Sequence, residues 1–103
     1  MNYVAQFFAG AFLCNCIPHV VCGLQGLSFP TPFAKPHGVG MSSPLVNFAW
    51  GLSNLIAGLV LLSNWAVRVG LNTSFLTLLL GVCVSGVYSS IHFGKVRRNG
   101  SAR

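Results

Sequence analysis

The chain has 103 residues, of which 53% are hydrophobic and only 6% are charged, and it contains no Asp or Glu. A soluble globular protein has about 25% charged residues, so this composition excludes a protein whose whole surface faces water and indicates a single domain in a lipid bilayer. The missing carboxylates also exclude Ser-His-Asp triads, the paired acids of glycosidases and carboxylate cages for Mg²⁺ or Ca²⁺, so we do not expect an enzyme.

The first predicted transmembrane helix covers about residues 3–24, an apolar run long enough to cross the hydrocarbon core. It is not typical of a cleaved signal peptide, because no Lys or Arg precedes it and the apolar run is too long. Pro18 removes one backbone hydrogen bond and predicts a kink. Cys14, Cys16 and Cys22 lack the spacing of a redox pair or a common zinc site, so we interpret them as packing residues.

Residues 25–43 form the connection to the second helix. Three prolines and several glycines in this stretch exclude a regular helix, so the sequence predicts a long Pro/Gly-rich loop. Phe29, Phe33 and Val39 are too apolar for a freely disordered segment. We therefore expect the loop to fold back onto the helices or to lie at the membrane interface.

The second predicted helix covers about residues 44–66 and is the most strongly apolar span. Pro44 suits the first helical turn, and Ser42 or Ser43 can cap it. Only residues 67–70 separate this helix from the third, so the two are expected to form a tight antiparallel hairpin.

The third predicted helix covers about residues 71–93, begins at the cap-like Asn72 and ends at Gly94. A basic tail, residues 94–103, follows it. The fold class expected for residues 1–103 is therefore all-α, an integral membrane bundle of three transmembrane helices.

The basic residues are distributed unevenly along the chain. Lys35 and the tail cluster lie on one side of the predicted membrane, and only Arg68 lies on the other; the cluster is Lys95, Arg97, Arg98 and Arg103. The positive-inside rule then places the N-terminus outside and the C-terminus in the cytoplasm. This grouping favours contact with lipid headgroups and argues against nucleic acid as a partner. The absence of a transit peptide favours a bacterial inner membrane.

Each predicted helix carries one stripe of polar and small residues at helical spacing. The stripes consist of Asn15, His19 and Cys22; Asn47, Gly51, Asn54 and Gly58; and Gly81, Ser85, Tyr88 or Ser89, and His92. In an antiparallel bundle His19, Asn47 and His92 fall near the membrane boundary beside the long loop. Asn15 and Asn54 lie nearer the midplane.

Two interpretations of these stripes stay open. In the structural one, Gly51, Gly58, Gly81 and Ser85 allow close helix packing, and the amides and histidines hydrogen-bond between helices. In the functional one, His19 and His92 bind a metal ion or haem, with Asn15, Asn47 and Tyr88 as supporting residues; ionisable groups within membranes often mark functional sites.

Three functions follow from these interpretations. The first, which needs the fewest assumptions about individual residues, is a non-enzymatic structural or accessory subunit of a membrane assembly. The second is a metal-binding or haem-binding membrane protein using His19 and His92. The third is an oligomeric pore or carrier for a small neutral or anionic solute, lined by Asn15, Asn47 and Asn54. The sequence identifies no cofactor, and its small residues favour a homo-oligomer or a larger membrane complex.

Overall fold

The computed structural model describes residues 2–101 and consists of three long helices with a small β-hairpin between the first two. The elements are α1 (Tyr3–Leu24), β1 (Phe29–Pro30), β2 (Met41–Ser42), α2 (Pro44–Asn64) and α3 (Thr73–Ser101). All three helices are long and apolar enough to span a membrane. The chain is therefore mostly helical, as predicted, and its helices support a multi-pass membrane protein.

Each helix begins with a side chain that caps its first turn, which satisfies one backbone N–H that the helix itself leaves without a partner. The cap oxygens accept hydrogen bonds as follows: Asn2 from the Ala5 N–H at 3.0 Å, Ser43 from Val46 at 3.2 Å and Asn72 from Phe75 at 2.9 Å. Pro44 occupies the first turn of α2, where its missing N–H costs nothing.

α1 is the central helix, because it packs against both α2 and α3 while those two hardly touch each other in the described residues. Its contact with α3 runs through two glycines. Gly10 lies against the backbone of Leu78, and Gly81 lies against the backbone of Phe7, so a Cβ added to either glycine would overlap the facing carbonyl. The two helices therefore meet backbone to backbone.

The contact of α1 with α2 also runs through glycines. A Cβ added to Gly51 would lie 2.6 Å from the Val20 side chain, and one added to Gly58 would lie 2.9 Å from Leu13. Gly51, Gly58 and Gly81 all face α1 of the same chain. Their small size is thus accounted for by contacts within one molecule.

The ends of two helices differ from the predicted ones. α2 ends at Asn64, and residues 65–72 link it to α3, so the connection is longer than predicted. α3 continues past Gly94 to Ser101. Gly94 does not have the positive φ of a C-terminal cap, and Lys95, Arg97 and Arg98 after it are good helix formers. Arg98 in the last turn also interacts favourably with the helix dipole. Arg103 lies outside the described residues.

The segment 25–43 contains regular structure that the sequence reading did not predict. β1 and β2 pair antiparallel, with Phe29 opposite Ser42 and Pro30 opposite Met41. Gly26 ends α1 with φ +72°, and the Leu27 N–H donates to the Cys22 carbonyl at 2.8 Å, a pattern typical of helix ends with a left-handed glycine. We call the side of the bundle that carries this segment the loop end, and the opposite side, where Tyr3 lies, the N-terminal end.

Candidate functional site

Two polar pairs join α1 to α2, one deep in the bundle and one at the loop end. In the deep pair, the Asn15 Nδ2 donates to the Asn54 Oδ1 at 3.0 Å, and the Asn54 Nδ2 donates to the Trp50 carbonyl at 2.9 Å. Asn54 is therefore held by its own helix and offers its oxygen to α1. An amide pair of this kind contributes roughly 0.6–2 kcal/mol to helix association within a membrane.

Asn47 organises the loop end. It is completely buried, and its Oδ1 lies 2.8 Å from the Nδ1 of His19, which is also buried. Its Nδ2 donates to the carbonyl of Phe29 at 3.0 Å and to that of Ser42 at 3.0 Å. One side chain of α2 thus connects α1 with both strands of the hairpin.

These bonds define the tautomer of His19. Because the Asn47 Nδ2 faces backbone carbonyls, which only accept, its Oδ1 must be the acceptor towards His19. The proton of neutral His19 therefore resides on Nδ1. Nε2 keeps a lone pair, and no residue among 2–101 hydrogen-bonds to it.

The same reasoning applies to the other two histidines. The Nε2 of His92 lies 2.7 Å from the Gly38 carbonyl, and the Nδ1 of His37 lies 2.6 Å from the Pro32 carbonyl. Each of these nitrogens must donate, since a carbonyl only accepts. His92 therefore keeps a lone pair on Nδ1 and His37 keeps one on Nε2.

All three histidines line one cavity of about 370 Å³ between α2 and α3, with α1 behind it and the segment 25–43 at its loop end. The other polar side chains around it are Asn15, Thr31, Trp50, Ser85, Tyr88 and Ser89. The volume falls in the lower part of the ~300–1,000 Å³ range of small-molecule pockets. No Asp or Glu is present in the chain, so the wall offers uncharged nitrogen and hydroxyl groups.

Comparison of the chain with protein families, curated proteins and solved structures finds no match. The site must therefore be interpreted from its own geometry.

The candidate polar residues divide into two groups in this geometry. Asn15, His19, Tyr88 and His92 line the cavity, whereas Asn47 and Asn54 lie behind it in the hydrogen bonds already described. The Tyr88 ring stacks on His92 at 5.6 Å and is 66% exposed. Ser85, expected to pack between helices, lines the cavity as well.

The same geometry bears on the metal and pore hypotheses. His19 and His92 share the cavity, but among residues 2–101 no three His or Cys side chains are grouped closely enough to hold a metal ion. Of the three amides expected to line a pore, only Asn15 lines the cavity.

Three further polar residues were not identified from the sequence. Trp50 lines the cavity, and its Nε1–H is buried without an acceptor among the described residues. Thr31 is buried and contacts the Ser42 hydroxyl at 2.6 Å. Gln6, far away at the N-terminal end, donates to the Trp65 and Ala66 carbonyls at 3.4 Å. Gln6 could have been noticed as the one amide among the apolar residues that open α1; Thr31 gives no such signal.

Proposed function

We propose that this protein is a multi-pass membrane protein that binds a small neutral or anionic solute in the histidine-lined cavity. The observation that carries the proposal is the arrangement of His19, His37 and His92 around one cavity. Each ring is fixed by a bond to a carbonyl and keeps one nitrogen with a free lone pair. Such rings are pre-oriented acceptors, which favours a ligand with hydrogen-bond donors.

The charge of the chain narrows the ligand class. A cation would find no carboxylate anywhere in the sequence to balance it. An anion, by contrast, is favoured over a cation by the net charge of +6. Neutral and anionic solutes therefore fit the cavity better than organic cations.

Native mass spectrometry of protein extracted from its own membrane in mild detergent tests this proposal. We expect a small non-lipid mass excess in the wild type, and we expect Ser85→Phe to remove it by filling the cavity. Ser90→Phe is the matched control, since Ser90 lies on the same helix but is exposed and bonds only to the Gly86 carbonyl. A mass excess that persists in Ser85→Phe would contradict a ligand in this cavity.

The histidine arrangement can be checked independently by ¹⁵N NMR of the neutral rings. We expect the proton on Nδ1 of His19 and His37 and on Nε2 of His92.

The native mass spectrum also tests the metal or haem hypothesis, because a metal ion or haem bound by His19 and His92 would add a characteristic mass.

A second candidate function, an accessory subunit of a membrane assembly, is favoured by a different observation. α2 and α3 hardly touch each other in the described residues, and Tyr88, which lines the cavity between them, is largely exposed. We propose that a helix of another protein packs against Tyr88. Co-purification of a second protein, lost when Tyr88→Ala is introduced, would support this role.

For the orientation we propose an outside N-terminus and a cytoplasmic loop end, in a bacterial inner membrane. His92 of α3 bonds to Gly38 of the segment 25–43, so Lys35 and the basic end of α3 belong to the same end of the bundle. This grouping is what the positive-inside rule uses. The test is to replace the four native cysteines by Ser, introduce one cysteine at Lys35 or at Arg68, and label with a membrane-impermeant reagent: only the cysteine at Arg68 should react from outside.

A further inference from the structure

A second cavity, of about 260 Å³, lies between the β-hairpin and the C-terminal part of α3. Its walls are mainly apolar, with one charged residue: Phe29, Val39, Met41, Phe93, Val96 and Arg97. Pro30 and Phe93 line both this cavity and the histidine-lined one, and the Phe93 ring lies 4.6 Å from that of Phe29. The two cavities are thus neighbours with different walls, one apolar and one polar.

The length of α3 places this cavity at the membrane surface. Its 29 residues extend for about 43 Å, which exceeds the ~30 Å hydrocarbon core. About 20 residues cross that core, so a helix that enters it at Thr73 leaves it near His92. Arg97 then lies roughly 7 Å further along, within the headgroup layer. By the same count Phe93 lies at the edge of the hydrocarbon core and Val96 about 6 Å beyond it, so this cavity lies at the boundary between acyl chains and headgroups.

The basic residues at the C-terminal part of α3 have no acidic side chain to pair with. Lys95, Arg97 and Arg98 lie within about one turn of α3, and the sequence offers no Asp or Glu to pair with any of them. Arg97 is exposed, so its guanidinium is accessible to a ligand from the protein's surroundings. Arginine binds phosphate through paired hydrogen bonds, and phosphate groups are abundant at this depth of a membrane.

We propose that this cavity is a binding site for one anionic phospholipid, with the phosphate on Arg97 and the upper part of an acyl chain against Val39, Met41 and Val96. The combination of an apolar cavity, an unpaired arginine at its rim and a position at the headgroup layer carries the proposal. The site is separate from the histidine-lined cavity and does not depend on the function proposed for it.

Lipid exchange into nanodiscs of known composition tests the site. The full-length protein is reconstituted in phosphatidylcholine alone or with added phosphatidylglycerol, released into mild detergent and measured by native mass spectrometry. We expect wild type to retain one phosphatidylglycerol molecule in preference to phosphatidylcholine. Arg97→Gln should weaken this retention about tenfold or more, the effect of losing charge-assisted hydrogen bonds.

Arg98→Gln is the matched control, because it removes the same charge one residue further along α3 from an exposed side chain that does not line the cavity. It should leave the retention nearly unchanged. Val39→Trp should abolish it by filling the cavity while Arg97 stays in place. Circular dichroism and the elution volume of each variant confirm that it is folded.

Three results would overturn the proposal. Equal losses in Arg97→Gln and Arg98→Gln would mean a general attraction of the basic helix end for anionic membranes. Equal retention of the two lipids by wild type would mean that the site does not distinguish an anionic headgroup from a zwitterionic one. Undiminished retention in folded Val39→Trp would mean that the lipid lies elsewhere.

Discussion

At the N-terminal end α1 and α3 meet backbone to backbone through Gly10 and Gly81, whereas at the loop end α1 and α2 are joined through the side chains of His19 and Asn47. Glycine contacts bring helices as close as they can come and leave no space between them. At the loop end Gly23 and Gly51 also bring α1 and α2 close together, but both cavities lie there, where α3 and the segment 25–43 complete their walls. Tight packing of α1 against α3 at one end therefore coexists with open cavities at the other.

The largest expected effect comes from a substitution that breaks the glycine contact between α1 and α3. Gly81→Ala places a Cβ into the Phe7 carbonyl, so the two backbones must separate, and we expect a loss of about 3 kcal/mol in the free energy of unfolding. Gly86→Ala is the control on the same helix, because its Cβ would lie at an ordinary 3.6 Å from the Cys14 sulfur. It should stabilise the helix slightly. Unfolding in mixed micelles measures both, and equal effects would refute the backbone contact.

The next effect concerns the polar end. Asn47→Ala removes two hydrogen bonds to carbonyls of the hairpin and leaves the buried Nδ1–H of His19 without its acceptor, and we expect a loss of about 2 kcal/mol. Asn64→Ala is the matched control on α2, since Asn64 is exposed and bonds only to the Val60 carbonyl. Asn47→Ala should also accelerate proteolysis within the segment 25–43. Unchanged proteolysis would show that Asn47 does not hold the hairpin.

A smaller effect tests whether the polar connection continues inward. A double-mutant cycle with Asn15→Ala and Asn54→Ala should give a coupling energy of about 1 kcal/mol from their direct hydrogen bond. The matching cycle between Asn15 and Asn64, which the structure does not bring into contact, should give a coupling near zero. If the coupling energy between Asn15 and Asn54 is also near zero, their hydrogen bond does not contribute to the free energy of unfolding.

The smallest effects have opposite signs at two glycines near the loop end. Gly26→Ala should destabilise the protein by about 1 kcal/mol, because φ is +72° there and a Cβ disfavours that conformation. Gly94→Ala should stabilise it by about 0.5–1 kcal/mol, because Gly94 lies within α3 and its added Cβ meets nothing closer than 3.9 Å. Stabilisation by Gly26→Ala would contradict the helix end described above.

The helices and their starting points could be predicted from the sequence, because apolar length and capping residues act locally: Ser43 and Asn72 cap the helices that follow them. The end of α3 could not, since Gly94 is compatible with both a cap and a helix interior. The hairpin depends on Asn47, which is distant in sequence from Phe29. Short strands held by such a distant side chain leave no periodic pattern to recognise.

For the candidate site, the sequence could predict which residues lie near one another but not their individual contacts. Helical spacing and antiparallel packing suggested that His19, Asn47 and His92 lie near the same boundary, and the structure shows the direct bond between His19 and Asn47. The sequence could not show that Asn47 points away from the cavity or that Trp50 lines it. Both depend on the rotation of each helix about its axis, which close packing fixes.

The central position of α1 has a consequence for how the protein is made. The ribosome delivers the chain from its N-terminal side, so α1 is synthesised before α2 and α3. Since α1 is the helix that each of the others packs against, every later helix meets its partner already in place when it reaches the bilayer. Assembly can then proceed in the order of synthesis, one interface at a time, with no helix required to wait for a successor.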